Sequence, residues 1–295
     1  MNELAVQDKA QDGRKIGIFP GMSWDEYAAV DALSGSALIH MRRSPLTFIW
    51  NRDNPQEPTD AMKLGTVIHT AILEPPLLGK IAVWGLIEEQ KVRRGKVWDA
   101  FAEANKELII LTKAEQGAVV DAVDGAYDTP VARQYLAEEG PTEGSMFWVD
   151  PYDGRYWKGR VDKLIRTKNS ATIVDLKKTR CCSPRRFGAQ AYQLGYHCKA
   201  AIYVSGYQIL TGIRPKFRWI ALEEKRPNEC AVYRATPDVL TLGGDEVTSL
   251  VHRLDACEKS DVWPCEVETE EDLVLPAYAM NEAEGLEEFA EVEGE

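Results

Sequence analysis

Residues 60–76, DAMKLGTVIHTAILEPP, repeat their apolar positions at helical spacing. Leu64, Ile68 and Ala71 form one stripe and Met62, Thr66, His69 and Leu73 an adjacent one, so a helix is expected that ends at Pro75-Pro76. His69 then sits mid-helix among apolar neighbours. Further helical patterns cover 113–127, 130–138 and 237–259. Upstream, order is expected to begin in the apolar and aromatic run 16–27, after a mobile stretch of about 20 residues. Ser34 and Ser36 offer N-caps for a short helix through His40 to Arg43, stopped by Ser44-Pro45 and followed by a loop rich in Asn, Pro and Asp. Residues 80–107 are mixed and take no assignment.

The period changes at Thr142. Segments 143–149 and 156–165 alternate as strands, with the Asp-Gly turn chemistry of 151–154 between them, and a third strand covers 171–176. Ser183-Pro184 reads as an N-cap with proline in the first turn, opening a long helix to about Leu210. On that helix Tyr192, Tyr196, Lys199, Tyr203 and Tyr207 share one face. Phe187, Ala191, Leu194, Cys198 and Ala201 share the opposite one, which has the stronger claim to the core. The tyrosine face is either a seam packed on the sheet or a stacking surface along a nucleic-acid path. Segments 216–222 and 231–234 complete the strands. The pattern is that of an α/β protein: helices at 21–140, sheet and helices at 141–265, in one domain.

Composition narrows the class. A chain of 295 residues with 44% hydrophobic and 28% charged positions is long enough to bury a core without disulfides. No stretch approaches the roughly 18–20 apolar residues of a membrane span, and residues 1–15 lack the apolar core of a secretion signal, so a cytosolic protein is expected. The net charge of -12 is a property of one segment. Of the 47 acidic residues twelve lie in 266–295, where there is no Lys or Arg, which leaves 35 to face the 35 basic ones. That tail has the composition of disorder, and the neutral remainder does not exclude a nucleic-acid partner. Cysteines stand at 181, 182, 198, 230, 257 and 265 with no C-x-x-C pair. Reduced thiols are expected, and an iron–sulfur centre needs Cys230, Cys257 and Cys265 to converge.

The chemistry concentrates in GRVDKL and IVDLKKT. Asp175 and Lys177, at i and i+2 on one strand, point to one face, and the neighbouring antiparallel strand brings Asp162 beside them. Two carboxylates and a backbone carbonyl such as that of Leu176 are hard oxygen ligands for a divalent cation. A lysine beside such a cation suits the orientation or deprotonation of an attacking water in phosphodiester hydrolysis. Taken alone, D-x-K on a strand is more often a surface ion pair, and His69 a packed histidine.

Together, LGTVIH, E-x-x-x-FW, KGRVD, IVDLKKT and GYHCKAAIY, with ALSGSALIHMRRSPLTF upstream, resemble the PD-(D/E)xK nucleases, in particular the exonuclease VIII (RecE) group of phage and prophage exonucleases, over about 31–207. The resemblance implies a restriction-endonuclease-like α/β core, a mixed sheet flanked by helices. It also implies Mg2+-dependent (or Mn2+-dependent) removal of the 5′ strand from double-stranded DNA ends. The 3′ overhangs would serve a RecT-like single-strand annealing protein, and the enzyme would be a ring-like homo-oligomer in a bacterial cytosol. Carried onto this chain, it makes His69, Asp162 and Asp175 metal ligands and Lys177 the catalytic lysine.

One position departs from the group. Its Gln-x-x-x-Tyr pair appears here as Lys199 and Tyr203, which replaces an amide by a point charge that either contacts a phosphate or depresses metal binding. Arg42 with Arg43, the Lys91, Arg93, Arg94 and Lys96 knot, and Arg185 with Arg186 are candidate backbone grips, surface charge being the default for each. Arg185 and Arg186 stand out because a first helical turn also presents free N–H groups. Tyr196 and Arg160 are further candidate supports. Glu143 is a site neighbour or an ordinary exposed acid and ranks low. Two rivals remain open: an iron–sulfur RecB-like nuclease, and a DNA-binding or assembly module that kept the fold and lost hydrolysis.

Overall fold

The alternation that starts at Thr142 forms the centre of a sheet in the computed structural model, which describes residues 7–9, 13–78, 81–85 and 93–274. In chain order the strands are β1 (Gln7–Lys9), β2 (Lys15–Phe19), β3 (Leu33–Ser34), β4 (Ile81–Trp84), β5 (Ile109–Thr112), β6 (Thr142–Val149), β7 (Tyr156–Arg166), β8 (Ala171–Thr179), β9 (Lys216–Glu223) and β10 (Cys230–Arg234). The helices are α1 (Trp24–Ala28), α2 (Gly35–Leu38), α3 (Pro45–Asp53), α4 (Asp60–Leu73), α5 (Lys96–Ala104) and α6 (Lys113–Asp128). They continue with α7 (Pro130–Ala137), α8 (Pro184–Gln193), α9 (Tyr196–Thr211) and α10 (Pro237–Ser260).

The main sheet runs β1-β2-β6-β7-β8-β9-β10, with β3 added in parallel to β7. Its path is antiparallel except between β8 and β9. A parallel neighbour requires a crossover, and α8 and α9 supply it. Helices cover both faces. On one, α9 and α10 bury Tyr207, Leu250 and Leu254 with Trp148, Ile173 and Phe217. On the other, α4, α6 and α7 bury Ile68, Ile72, Ala126 and Leu136 with Val174, Leu176 and Ile220. Neighbours such as Ile173 and Val174 thus serve opposite cores, as the period of two requires for a strand covered on both sides. The expected mixed sheet between helices is what forms.

Several helix starts follow local chemistry. The Thr59 and Thr236 side chains accept from the N–H groups of Met62 and Val239, and Thr112 forms a reciprocal capping box with Glu115. Elsewhere the expectations are corrected. Ser44-Pro45 starts a helix where a loop was expected: Ser44 accepts from the Thr47 N–H, and Pro45 tolerates the first turn because its missing N–H would have no partner there. The long helix expected from 183 to 210 is two helices, broken at Gly195, which is left-handed at φ 66°. There a Cβ would also approach Ile39 Cδ1 to 2.8 Å. In the unassigned 80–107 region and just beyond it, β4 and β5 pair in parallel as a separate small sheet, followed on β4 by α5. At the start of the 16–27 run, β2 pairs with β6. Residues 1–6, 10–12 and 275–295, with most of the acidic tail, lie outside the described residues, as does Lys91.

Candidate metal centre

Sheet register places three acids in a row. β6 and β7 pair Thr142 with Lys163 and Gly144 with Val161, so Glu143 and Asp162 face each other between those pairs. β7 and β8 pair Lys163 with Val174, and one step on come Asp162 and Asp175. Glu143 has φ 49°, a left-handed conformation that costs a residue with a Cβ about 1–3 kcal/mol and is most often found where function requires it. The apolar stripes of α4 seat that helix on the sheet and carry His69 to the row, its Nδ1 3.6 Å from Asp162 Oδ2. His69, Glu143 and Asp162 each offer one ligand atom within 4.8 Å of the others.

Hydrogen bonds hold this row. Asp162 Oδ2 accepts from the Leu176 N–H at 2.7 Å, and Glu143 Oε2 accepts from Arg160 Nε at 2.8 Å. Arg160 is itself tied to the Met22 carbonyl and the Ser145 hydroxyl. Asp175, buried, is ion-paired with Lys177, whose ammonium also donates to the Leu176 carbonyl at 3.3 Å and lies 5.3 Å from the centre of the Tyr196 ring. Crowding of like charge in a desolvated place shapes the electrostatics. Burial, then the Asp175 charge, pushes Asp162 well above the usual carboxylate range, and burial, then Asp162, raises Glu143. Burial alone would lower Lys177, but Asp175 and Asp162 outweigh it and hold it charged. His69 is lowered by burial and then by Lys177, which favours the neutral imidazole that metals bind. Burial, then Lys177, lowers Lys199 as well.

The other candidate residues divide into two sets. Lys199 is within electrostatic reach of Lys177, Asp175 and Asp162, and its ammonium makes no hydrogen bond or ion pair with a described residue. Tyr203 is buried against Gly159 and Phe217, and Tyr207 is fully buried, whereas Tyr192 is 59% exposed. The single tyrosine face is therefore corrected. The break at Gly195 rotates Tyr192 away, and Tyr203 and Tyr207 belong to the core while Leu194, expected inside, is 47% exposed. Arg43, Arg185 and Arg186 are exposed. Arg42 is no free grip: it pairs with Glu246 at 2.6 Å and donates to the Tyr192 and Gln193 carbonyls. Arg93 likewise is held by Glu115 and the Ile110 carbonyl. Glu143, ranked low in sequence, is one of the three convergent donors. Among the described residues the cysteines are free thiols, and no candidate ligand group holds two of them. The iron–sulfur alternative has no ligand set there.

A family model described as a PDDEXK-like domain of unknown function (DUF3799) matches residues 34–272. The chain belongs to this family. A search of curated proteins returns no match. Among solved structures, a candidate exonuclease from Eubacterium rectale aligns at a TM-score of 0.58 and 15% identity, over 88% of this chain and 97% of its own. At that identity the shared property is the fold. A second structure, SSO0001, aligns over 83% of this chain and 93% of its own at 12% identity, but its TM-score of 0.33 carries no argument. The PDDEXK-like domain thus has the PD-(D/E)xK nuclease fold, and its acidic row lies across the central strands. No helix among its described residues is long and apolar enough to cross a membrane.

Proposed function

We propose that this PDDEXK-like domain is a metal-dependent deoxyribonuclease that degrades linear double-stranded DNA from its ends, in the manner of the RecE-like exonucleases. The observation that carries the reading is the convergence of His69, Glu143 and Asp162 beside the Asp175–Lys177 pair. Two carboxylates and one imidazole fit a hard divalent cation, Mg2+ with Mn2+ as substitute, and Asp175 and the Leu176 carbonyl stand next to them as further oxygen donors. When bound, the cation polarises a phosphoryl oxygen and makes a bound water acidic.

The chain's own residues supply the rest. Asp162 is fixed by the Leu176 N–H, and Glu143 by Arg160, so the donors are held before any substrate arrives. Lys177, kept as an ammonium between Asp175 and the Tyr196 ring, orients the attacking water and offsets charge developing on the phosphate. Lys199, with no ion partner among the described residues, offers its charge to a phosphate oxygen, and the exposed Arg43, Arg185 and Arg186 offer theirs to the backbone further along. Removal of the 5′ strand, hand-over of a 3′ overhang to a RecT-like annealing protein, and assembly as a ring-like homo-oligomer in the cytosol of a bacterium carrying a phage or prophage complete the reading.

The test is digestion of linear duplex labelled at its 5′ or 3′ end, with a closed circle as control. Loss of the linear DNA alone, in Mg2+ and not in EDTA, abolished by Asp175→Ala and by Lys177→Ala, is the expected result, and the order of label release gives polarity. One rival has a specific observation behind it, the cation Lys199 facing a cation-binding row. Duplex binding in EDTA with no cleavage in Mg2+ or Mn2+ would favour that rival, a silent DNA-binding module.

A further inference from the structure

Helices α9 and α10 approach so closely that a Cβ on Gly243 would lie 2.3 Å from the His197 carbonyl oxygen. One turn further, Glu246 reaches two adjacent residues of α9. Its Oε2 is 2.8 Å from His197 Nε2 and 3.4 Å from Cys198 Sγ, and that sulfur is 3.5 Å from the same nitrogen. His197 and Cys198 are 4% and 0% exposed. His197 Nδ1 is buried with no hydrogen-bond partner, so the ring, stacked on Tyr192, makes its hydrogen bonds only through Nε2. The other oxygen of Glu246 is held by Arg42. None of these residues belongs to the acidic row.

The three atoms form a triangle of informative size. A point equidistant from atoms 2.8, 3.4 and 3.5 Å apart lies about 1.9 Å from each. In a tetrahedral zinc centre with bonds of about 2.0–2.3 Å, any three ligand atoms lie on a circle of about 2 Å radius. A small cation just above the triangle therefore meets all three donors, with its fourth position left for water.

We propose that His197 Nε2, Cys198 Sγ and Glu246 Oε2 form a second, structural cation site that takes Zn2+. A thiolate and an imidazole beside one carboxylate are borderline-soft donors that select Zn2+ over Mg2+, the reverse of the oxygen-rich row at Asp162. Arg42 anchors the ligating carboxylate from outside, as the outer partners of metal ligands commonly do. Burial, then Glu246, pushes the free Cys198 thiol up to about 12. Binding consequently exchanges the thiol proton, released to solvent, for a sulfur–zinc bond. The site clips α9 to α10 one residue before Lys199.

The experiment is titration of the full chain with Co2+, whose thiolate complexes show a sulfur-to-cobalt charge-transfer band that the sulfur-free acidic row does not produce. The expected band saturates, disappears on adding Zn2+, is lost in Cys198→Ser and persists in Cys182→Ser, the cysteine grouped with Glu223 and Glu229. A wild-type chain with no thiolate band overturns the proposal whether or not the variants fold. So does a band that survives in Cys198→Ser. The three side chains would then be a hydrogen-bonded hub around Glu246 alone. The readout is spectroscopic and does not depend on DNA cleavage.

Discussion

Among the described residues two clusters join a histidine to one or more carboxylates, and they are built on opposite electrostatic plans. At His69, Glu143 and Asp162 the acids face one another across strands, and burial and mutual repulsion drive Asp162 and Glu143 upward. At His197, Cys198 and Glu246 a single carboxylate accepts from Arg42 and His197, and the Cys198 thiol points at it. Burial alone would raise Glu246, yet those partners hold it below the usual carboxylate range. The first cluster crowds acidic groups where a positive ligand would relieve their repulsion. In the second the carboxylate is neutralised by its own donors, and the cluster ties two helices together. The same residue types thus serve two electrostatic plans, and what separates them is the balance of donors and like charges around each carboxylate.

Substitutions should separate the two clusters. The largest effect is expected for Asp162→Asn, which should lower the rate on linear duplex in Mg2+ by about a thousandfold, equivalent to about 4 kcal/mol. Because the change removes one of several crowded like charges, the urea midpoint should hold or rise. A fall of the midpoint together with the rate would mean that the acidic row is structural. Glu246→Ala should do the reverse. It leaves Arg42, His197 and Cys198 without their acceptor and should cost about 3 kcal/mol of stability in a denaturant titration. Gly243→Ala strikes the same joint through packing, since its Cβ meets the His197 backbone, and should cost about 2 kcal/mol. An unchanged midpoint in that variant would show that α9 and α10 are not held at this contact. Lys199→Gln should act on substrate alone, raising KM about tenfold with kcat nearly unchanged and flattening the salt dependence of binding by about one unit of slope. Smallest of all, Arg185→Gln with Arg186→Gln should weaken duplex binding by less than about tenfold, equally for all sequences, as phosphate contacts do.

Much of the fold was legible because each element carried its own signals. The helix at α4 followed from its stripes and terminal prolines, and the strands at β6, β7 and β8 from alternation and the Asp-Gly turn. The Ser44-Pro45 helix was misread although its signal, an N-cap followed by proline, is the one that correctly opened the helix at Ser183. The Gly195 break was missed because apolar spacing continues across it and one glycine carries the whole change of direction. Glu143 was recoverable from the sequence: the β6–β7 turn that pairs Val149 with Tyr156 also sets Glu143 opposite Asp162. His197 and Glu246, 49 residues apart on different helices, left no local pattern at all.

The sequence by itself determined the helix and strand periods, the acidic bias of the last thirty residues and the D-x-K pair, because these depend on neighbours along the chain. Only the tertiary structure decided which charges are met. Register brought Glu143 to Asp162, and the close crossing at Gly243 brought Glu246 to His197. Burial then gave each charge its consequence, since a carboxylate removed from water is governed by the few groups within hydrogen-bonding distance.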